Sequence, residues 1–290
     1  MATDMSAKSA AAELNARISK TIAEYATKPW MLSYDPFQVT DNLYFVGNSW
    51  VSAYLIKTSE GLVLIDTTFT ETFYQVIDNI YRLGFNPRDI KYCFLSHAHF
   101  DHFDAAASLQ KMCDCKVYIG ADDLFFFQGR DDLTLSPVYY RGDDIRFDGF
   151  YDYSKPWTMG DVTFRFFHSP GHTPGTTTFF IDDAHNGQPV TCAMHGGLGI
   201  NGMTLEELEE KRLPATLQRA FYDSLLELRE LKVDIVIPSH NTAMASKSSD
   251  SSLLVRYEKA GGSRDGLIDT ALWRQYLSGQ VTAVEAILGK

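Results

Sequence analysis

The sequence is poor in cysteine, in positive charge and in long apolar runs, and each shortage excludes a class of protein. Only four cysteines occur among the 290 residues, and none of them forms a Cys-x-x-Cys pair. A disulfide framework and a cysteine-based zinc knuckle are therefore not expected. The 37 acidic residues outnumber the 26 basic ones, which leaves a formal net charge of −11. We expect no nucleic-acid partner, because such partners usually require a surface rich in lysine and arginine.

Apolar residues are distributed in short runs, and none approaches the roughly 20 residues that a membrane span requires. Residues 1–8 also lack the apolar core of a signal peptide. We therefore predict a cytoplasmic protein that does not associate with membranes. The hydrophobic content of 45% and the charged content of 22% are ordinary for a globular chain that buries a sizeable core.

The order of the predicted elements indicates a single α/β domain over residues 1–290. Apolar residues at helical spacing predict an N-terminal helix over 6–27, which is a packing element, a lid or a dimer arm. From Asp41 onwards, strand blocks and helices occur twice in a similar order, with no linker between the halves. A helical tail is predicted over about 249–288. We expect two mixed β-sheets face to face with helices outside, an αβ/βα four-layer sandwich, and the sequence leaves the oligomeric state open.

Histidine is also scarce, yet three of the eight histidines lie within six residues. The segment from His97 to His102 reads His-x-His-x-Asp-His and follows a short apolar run. An extended backbone would aim His97 and His99 the same way, and the following turn would send Asp101 and His102 to a second position nearby. Imidazole nitrogens and carboxylate oxygens are typical zinc ligands. The spacing predicts two neighbouring metal ions served by one loop, the alternative being a polar loop that happens to be rich in histidine.

The remaining histidines differ in how strongly their surroundings point to a metal. His172 lies between two glycine turns, and His240 follows a late apolar strand, so both are further ligand candidates at strand ends. His168 is predicted to be structural, and His185 is predicted to be solvent-exposed in a hairpin turn. His195 precedes a flexible glycine turn, and it is a metal-proximal ligand, a substrate hydrogen-bond donor or acid/base, or a plain turn residue.

With these motifs in place, the sequence resembles the metallo-β-lactamase superfamily, from about Pro36 to His240. The resemblance rests on the His97–His102 motif, on Gly171-His172-Thr-Pro-Gly and on the late His240. It is closest to the third subclass, whose second metal site is Asp-His-His. It implies the αβ/βα metallo-β-lactamase fold and two zinc ions per chain, with iron or manganese as alternatives. By this resemblance the first ion would be held by His97, His99 and His172, and the second by Asp101, His102 and His240.

The resemblance also implies a mechanism. Three protein ligands per ion leave positions open, and a water or hydroxide would bridge the two ions with its pKa lowered to roughly 7. Asp101 would orient this hydroxide and relay its proton, whereas Asp66 would support the ligand loop rather than bind metal. The expected reaction is attack on the amide, lactam, lactone or ester carbonyl of a small molecule, with β-lactamase activity included.

One segment departs from the family pattern. Many superfamily hydrolases carry a bridging aspartate after the strand that here runs into His195, and third-subclass lactamases carry serines in the following turn. This chain has His195-Gly196-Gly197 instead, so His195 becomes a candidate catalytic residue and the substrate stays open. Alternatives on the same fold are thioester or phosphodiester hydrolysis, redox chemistry at a di-iron site, and a non-catalytic metal-binding module. Redox relatives usually carry a flavin domain, thioesterase relatives keep the bridging aspartate, and cleavage of nucleic acid would require a basic surface.

Overall fold

The computed structural model describes residues 20–136, 141–200, 202–241 and 251–289, and two β-sheets form its centre. The first sheet has seven strands in the order β1 to β7, and the second has five in the order β12-β11-β10-β9-β8. The strands are β1 (Phe37–Gln38), β2 (Leu43–Phe45), β3 (Tyr54–Thr58), β4 (Gly61–Ile65), β5 (Ile90–Phe94), β6 (Lys116–Ile119), β7 (Phe147–Phe150), β8 (Trp157–Met159), β9 (Val162–His168), β10 (Thr177–His185), β11 (Gln188–Met194) and β12 (Ile235–Val236).

Both sheets are mixed. Strands β1 to β4 are antiparallel neighbours, and β4 to β7 are parallel. In the second sheet β8 to β11 are antiparallel, and β12 pairs with β11 in parallel. Parallel neighbours end at the same edge of a sheet, so the loops after β4, β5 and β6 lie side by side.

The helices flank the sheets. The described part of helix α1 covers 20–27. The others are α2 (Phe73–Arg82), α3 (Phe100–Phe103), α4 (Ala106–Cys113), α5 (Leu205–Glu210), α6 (Thr216–Leu228), α7 (Leu253–Lys259) and α8 (Leu272–Ile287). None of the helices in the described ranges has the length and apolar character that a membrane span would need.

Three buried apolar layers hold this arrangement together. One layer joins the seven-stranded sheet to α2 and α4 through residues such as Val76 and Leu109. A second fills the space between the sheets, where Phe94 of β5 meets Phe164 of β9 with ring centroids 5.5 Å apart. A third packs α6 and α8 against the five-stranded sheet around Trp273. The predicted αβ/βα sandwich is therefore confirmed.

Helix α1 shows packing contacts in the part that the structure describes. Ile22 and Tyr25 lie against the first apolar layer, and the Tyr25 ring is 5.2 Å from the ring of Trp50. The rest of the predicted helix, 6–19, lies outside the described residues.

Strands β7 and β8 lie within residues 129–160, a stretch rich in turn-forming residues. These strands have four and three residues, too few to give a periodic pattern. His185 was expected to be exposed in a turn, but it is the last residue of β10 and is 4% exposed. Its Nε2 lies 2.7 Å from Asp265 Oδ1, and the positive-φ turn begins one residue later at Asn186.

Candidate metal centre

The predicted ligands lie where loops from the two sheets meet. The loop carrying His97 to His102 follows β5, and the amide of Thr177, at the start of β10, donates to Ser96 O at 3.0 Å across the sheets. His240 follows β12 and forms an isolated antiparallel bridge with Val51 of the first sheet. The topology therefore brings distant segments to one edge of the sandwich.

Three histidines form a first group. His99 Nδ1 lies 3.0 Å from His97 Nε2 and 3.0 Å from His172 Nε2. His97 and His99 are buried, and His172 is partly buried. All three nitrogens point towards one position.

A second group lies beside the first. His102 Nε2 is 3.0 Å from His240 Nε2, and Asp101 Oδ2 is 3.3 Å from His240 Nε2 and 3.6 Å from His102 Nε2. The rings of His97 and His102 join the two groups, with centroids 4.2 Å apart. The side chain of His240 is 31% exposed and that of Asp101 10%, so this group faces solvent.

The geometry of both groups fits metal ions. Hydrogen bonds do not explain the first group. His99 Nδ1 is close to two other nitrogens, but a ring nitrogen carries either one hydrogen or one lone pair and so forms only one good hydrogen bond. Ligands about 2.0–2.1 Å from a tetrahedral zinc ion would be about 3.3 Å apart, close to the observed 3.0 Å. Histidine and carboxylate donors are the set that zinc prefers.

The ionisation states of the first group also favour metal binding. Burial, and then the positive charge of neighbouring histidines, lowers the pKa of His97 and His99 well below 6.5 and that of His172 to about 4. Neutral imidazole is the form that coordinates a metal. The first group is therefore ready to accept an ion at neutral pH.

The second group has the opposite balance of charge. Burial acts to raise the pKa of Asp101, but the charge of His102 and a hydrogen bond from His240 outweigh it and hold the pKa well below its usual range. Burial acts to lower the pKa of His102, but Asp101 and then Asp66 raise it above the ordinary value. Asp101 is therefore ionised at neutral pH.

Asp66 anchors the ligand loop from the end of β4. The residue is fully buried with a φ of 58°, and its carboxylate accepts hydrogen bonds from Ser96 N at 2.7 Å and Ser96 Oγ at 2.8 Å. Asp66 Oδ2 also lies 2.7 Å from His102 Nδ1. A proton on Nδ1 leaves the Nε2 lone pair of His102 directed at the second group, the arrangement common in zinc sites. This geometry agrees with the supporting role expected for Asp66.

His195 belongs to neither group of three. Its ring is fully buried, 6.1 Å from the ring of Phe221, and Nδ1 accepts a hydrogen bond from Gly197 N at 3.3 Å. Burial, and then the charge of His172, lowers its pKa to about 3, so the imidazole is neutral. Within the described part of the chain, Nε2 has no hydrogen-bond partner.

The glycines after His195 have a packing role that the sequence did not reveal. A Cβ on Gly197 would lie 2.5 Å from His172 Cδ2, and one on Gly196 would lie 2.2 Å from Thr177 O. The turn therefore runs against a ligand ring and has no room for the serines found in third-subclass lactamases. Trp50 was also missed, since no local pattern marks it; its ring lies 5.7 Å from the ring of His240.

Comparisons with known proteins agree with this geometry. Residues 48–185 match the model of the metallo-beta-lactamase superfamily. The N-acyl homoserine lactonase AttM of Agrobacterium fabrum is 30% identical over 149 residues, which are 49% of this chain and 52% of that protein. The chain thus spans about half the length of the first curated relatives it matches.

Solved structures match over more of the chain. The Cronobacter sakazakii metallo-β-lactamase with the HARLDQ motif is 25% identical with a TM-score of 0.75, covering 88% of this chain and 98% of that one. BJP-1 of Bradyrhizobium japonicum, a subclass B3 metallo-β-lactamase, is 23% identical with a TM-score of 0.71 over 91% and 97% of the two chains, a likeness of fold. The family match over residues 48–185, the two facing sheets and the two groups of histidine and aspartate side chains agree with the predicted resemblance to the metallo-β-lactamase superfamily.

Proposed function

We propose that this protein is a dinuclear zinc hydrolase that opens the ring of a small lactone or lactam by adding water to its carbonyl group. The observation that carries the proposal is the pair of adjacent ligand groups, each with three donor atoms within 4.8 Å of one another. Three protein ligands per ion are typical of catalytic rather than structural zinc, because a position stays open for water or substrate.

When bound, the zinc ions would lower the pKa of a water molecule towards 7 and polarise the substrate carbonyl. The chain contributes the positions of the ligands and a carboxylate at the solvent side of the site. Asp101 is ionised and lies at the exposed second group, so it can accept a hydrogen bond from the attacking water and orient it. We assign no step to His195, because its ring has no surface exposed towards a substrate.

A lactone is the first choice of substrate, with a β-lactam second. AttM and a further relative from Bacillus sp., 24% identical over 205 residues, are named N-acyl homoserine lactonases. The β-lactam is favoured by likeness to metallo-β-lactamases over about nine tenths of the chain. The turn after β11, which lacks the serines of third-subclass lactamases, argues for the lactone.

A substrate panel tests the proposal. Protein reconstituted with zinc is assayed against an N-acyl homoserine lactone, a chromogenic cephalosporin, an aryl ester, an acyl thioester and an aryl phosphodiester. We expect lactone hydrolysis that disappears on chelation and returns when zinc is added. His240→Ala should abolish this activity, whereas His185→Gln, which changes a histidine of neither group, should leave it intact.

Two results would contradict the proposal. Protein that binds two equivalents of zinc and hydrolyses none of the panel would be a non-catalytic metal-binding module. Hydrolysis confined to the thioester or the phosphodiester would assign a different reaction to the same fold.

A further inference from the structure

Asp123 lies beneath the first ligand group and contacts both of the loops that build it. It belongs to a 3₁₀ helix, Ala121–Phe127, that follows β6, and its side chain is fully buried. Its Oδ2 accepts hydrogen bonds from Ala98 N at 2.9 Å and Thr173 Oγ1 at 2.7 Å. Its Oδ1 accepts a hydrogen bond from Gly175 N at 2.6 Å.

The positions of these donors explain why the contacts concern the metal centre. Ala98 lies between the ligands His97 and His99, and Thr173 directly follows the ligand His172. One carboxylate therefore links the two loops that carry all three ligands of the first group. Ala98 and Thr173 come from loops associated with different sheets, so the contact also fixes the distance between the sheets at this edge.

The packing around Asp123 leaves little freedom for these loops to shift. A Cβ on Gly175 would lie 2.6 Å from Asp123 N, and one on Gly120 would lie 2.1 Å from Gly175 O. The backbones of the two segments are thus in direct contact, and both glycines are required by this close approach. Thr173 N also donates to Thr176 Oγ1 at 2.9 Å, which closes the turn after His172.

The donors to Asp123 are neutral. In the described ranges, no cationic group lies within 4.0 Å of its carboxylate. The burial of the carboxylate is therefore compensated by three hydrogen bonds from neutral donors. Burial raises the pKa of this carboxyl to about 6. A buried carboxyl without a charged partner costs stability, which argues that its contacts serve a purpose other than stability.

We infer that Asp123 is a positioning residue for the first metal site, where it holds the loop of His97 and His99 at a fixed distance from the loop of His172. The inference rests on metal binding at the first group, as the proposed function does, but not on any particular reaction. Its loss should weaken the first site selectively, because the second group is anchored by Asp66 instead.

Metal binding to Asp123→Asn tests this inference. The variant keeps the size of the side chain but replaces one acceptor oxygen with an NH₂ group. This group cannot accept the hydrogen bond from the N–H or O–H donor that faces it. Zinc affinities of the two sites are measured by competition with a chelator, and cobalt(II) absorption distinguishes a three-histidine site from an Asp-His-His site. We expect the first-site affinity to fall roughly 10–100-fold, as for other residues that support metal ligands, with the second-site affinity unchanged.

Asp122→Asn is the matched control, since it makes the same change of charge on the neighbouring residue, whose side chain is 64% exposed. It should leave both affinities unchanged. Amide hydrogen exchange of metal-free protein gives an independent measurement, and the amides of Ala98 and Gly175 should exchange faster in Asp123→Asn only.

A second pair of variants is available if Asp123→Asn fails to fold. Thr173→Val removes one hydrogen bond to the carboxylate and should weaken the first site, whereas Thr173→Ser keeps the hydroxyl and should restore it. Wild-type zinc affinity at the first site in both Asp123→Asn and Thr173→Val, or equal weakening of both sites, would overturn the inference.

The same measurements separate this inference from the proposed function. Selective loss of first-site zinc in a protein that hydrolyses nothing on the panel would contradict the proposed function and leave the positioning role intact. Full hydrolysis by Asp123→Asn together with wild-type zinc affinity at the first site would contradict the positioning role alone.

Discussion

The two carboxylates on either side of the ligand loop invite comparison. Asp66 follows β4 and Asp123 follows β6, and these strands flank β5, whose end carries the loop. Both side chains are fully buried. Asp66 contacts the imidazole of His102 as well as the amide and hydroxyl of Ser96, whereas Asp123 contacts two backbone amides and one hydroxyl but no imidazole.

The difference shows two ways in which one scaffold can prepare a metal site. Asp66 sets the tautomer and the orientation of His102 and also holds Ser96 beside His97, so its effect is expected to be largest at the second group. Asp123 sets the spacing of two chain segments, so its effect is expected to extend to all three ligands of the first group. Equivalent strand ends in one sheet thus contribute through different contacts.

The largest expected effect comes from removing one ligand of each group. His172→Ala should empty the first site and His240→Ala the second, each with a loss of hydrolysis greater than the roughly 100-fold that supporting residues can cost. Zinc content by elemental analysis and the rate on the best substrate check this. Retention of two zinc ions by either variant would contradict the assignment of three ligands to each of two separate sites.

Next in size are the supporting carboxylates taken together. Asp66→Asn should weaken the second site roughly 10–100-fold and the first site less, because Asp66 touches the His102 ring directly but reaches His97 only through Ser96. This order is the reverse of that expected for Asp123→Asn. Because both residues hold the same loop, the double variant should deviate from additivity by at least about 0.5 kcal/mol in zinc binding. A double-mutant cycle measured by chelator competition checks this, and strict additivity would mean that the two supports act independently.

A smaller effect is expected at His195, which is buried near the centre but anchors no ligand. Its pKa of about 3 lies below the ordinary 6.5, so the unfolded chain binds a proton there that the folded chain does not. Between pH 6.5 and pH 3, this histidine therefore lowers the free energy of unfolding by up to about 1.4 kcal/mol for each pH unit that the pH falls.

His195→Gln removes the titrating group and should make the free energy of unfolding less sensitive to acid between pH 6.5 and pH 5. Urea unfolding of metal-free wild type and variant at several pH values measures this, and parallel curves would contradict it. The rate of hydrolysis at neutral pH should change less than tenfold. A larger loss would indicate that His195 takes part in catalysis.

The smallest effect is expected far from the centre, at the hairpin end of β10. His185→Gln preserves a nitrogen that can donate to Asp265, so the free energy of unfolding should change by no more than about 1 kcal/mol. Zinc affinities should stay at the wild-type values. A changed zinc affinity at either site would show that the contacts of Asp66 and Asp123 depend on the distant end of β10.

Parts of the molecule could be predicted because their signals are local. The alternation along β9 and the apolar run of β5 give strands directly, and the two facing sheets follow from the order of elements. The ligand candidates could be named because histidine is rare and its chemistry narrow. The structure brings all six together, although His172 and His240 are 73 and 138 residues from the partners they meet.

Other parts depend on contacts that no local pattern encodes. Asp123 is one of two adjacent aspartates at the start of a short 3₁₀ helix, and its partners Ala98 and Thr173 are distant in sequence. The exposure of His185 was misjudged because the turn is only two residues long, with φ values of 53° at Asn186 and 74° at Gly187. Strand β10 therefore continues one residue further than a longer turn would allow.

The bridging of the two sheets by the ligand groups has a consequence for folding. A zinc ion held by His97, His99 and His172 would act as a cross-link that closes a loop of about 70 residues, and one at the second group would close a longer loop. Such a cross-link stabilises the native state in proportion to the logarithm of free zinc over the dissociation constant. Metal supply would then govern the survival of the folded chain as well as its chemistry, so cells depleted of zinc would hold less of the protein, not merely less active protein.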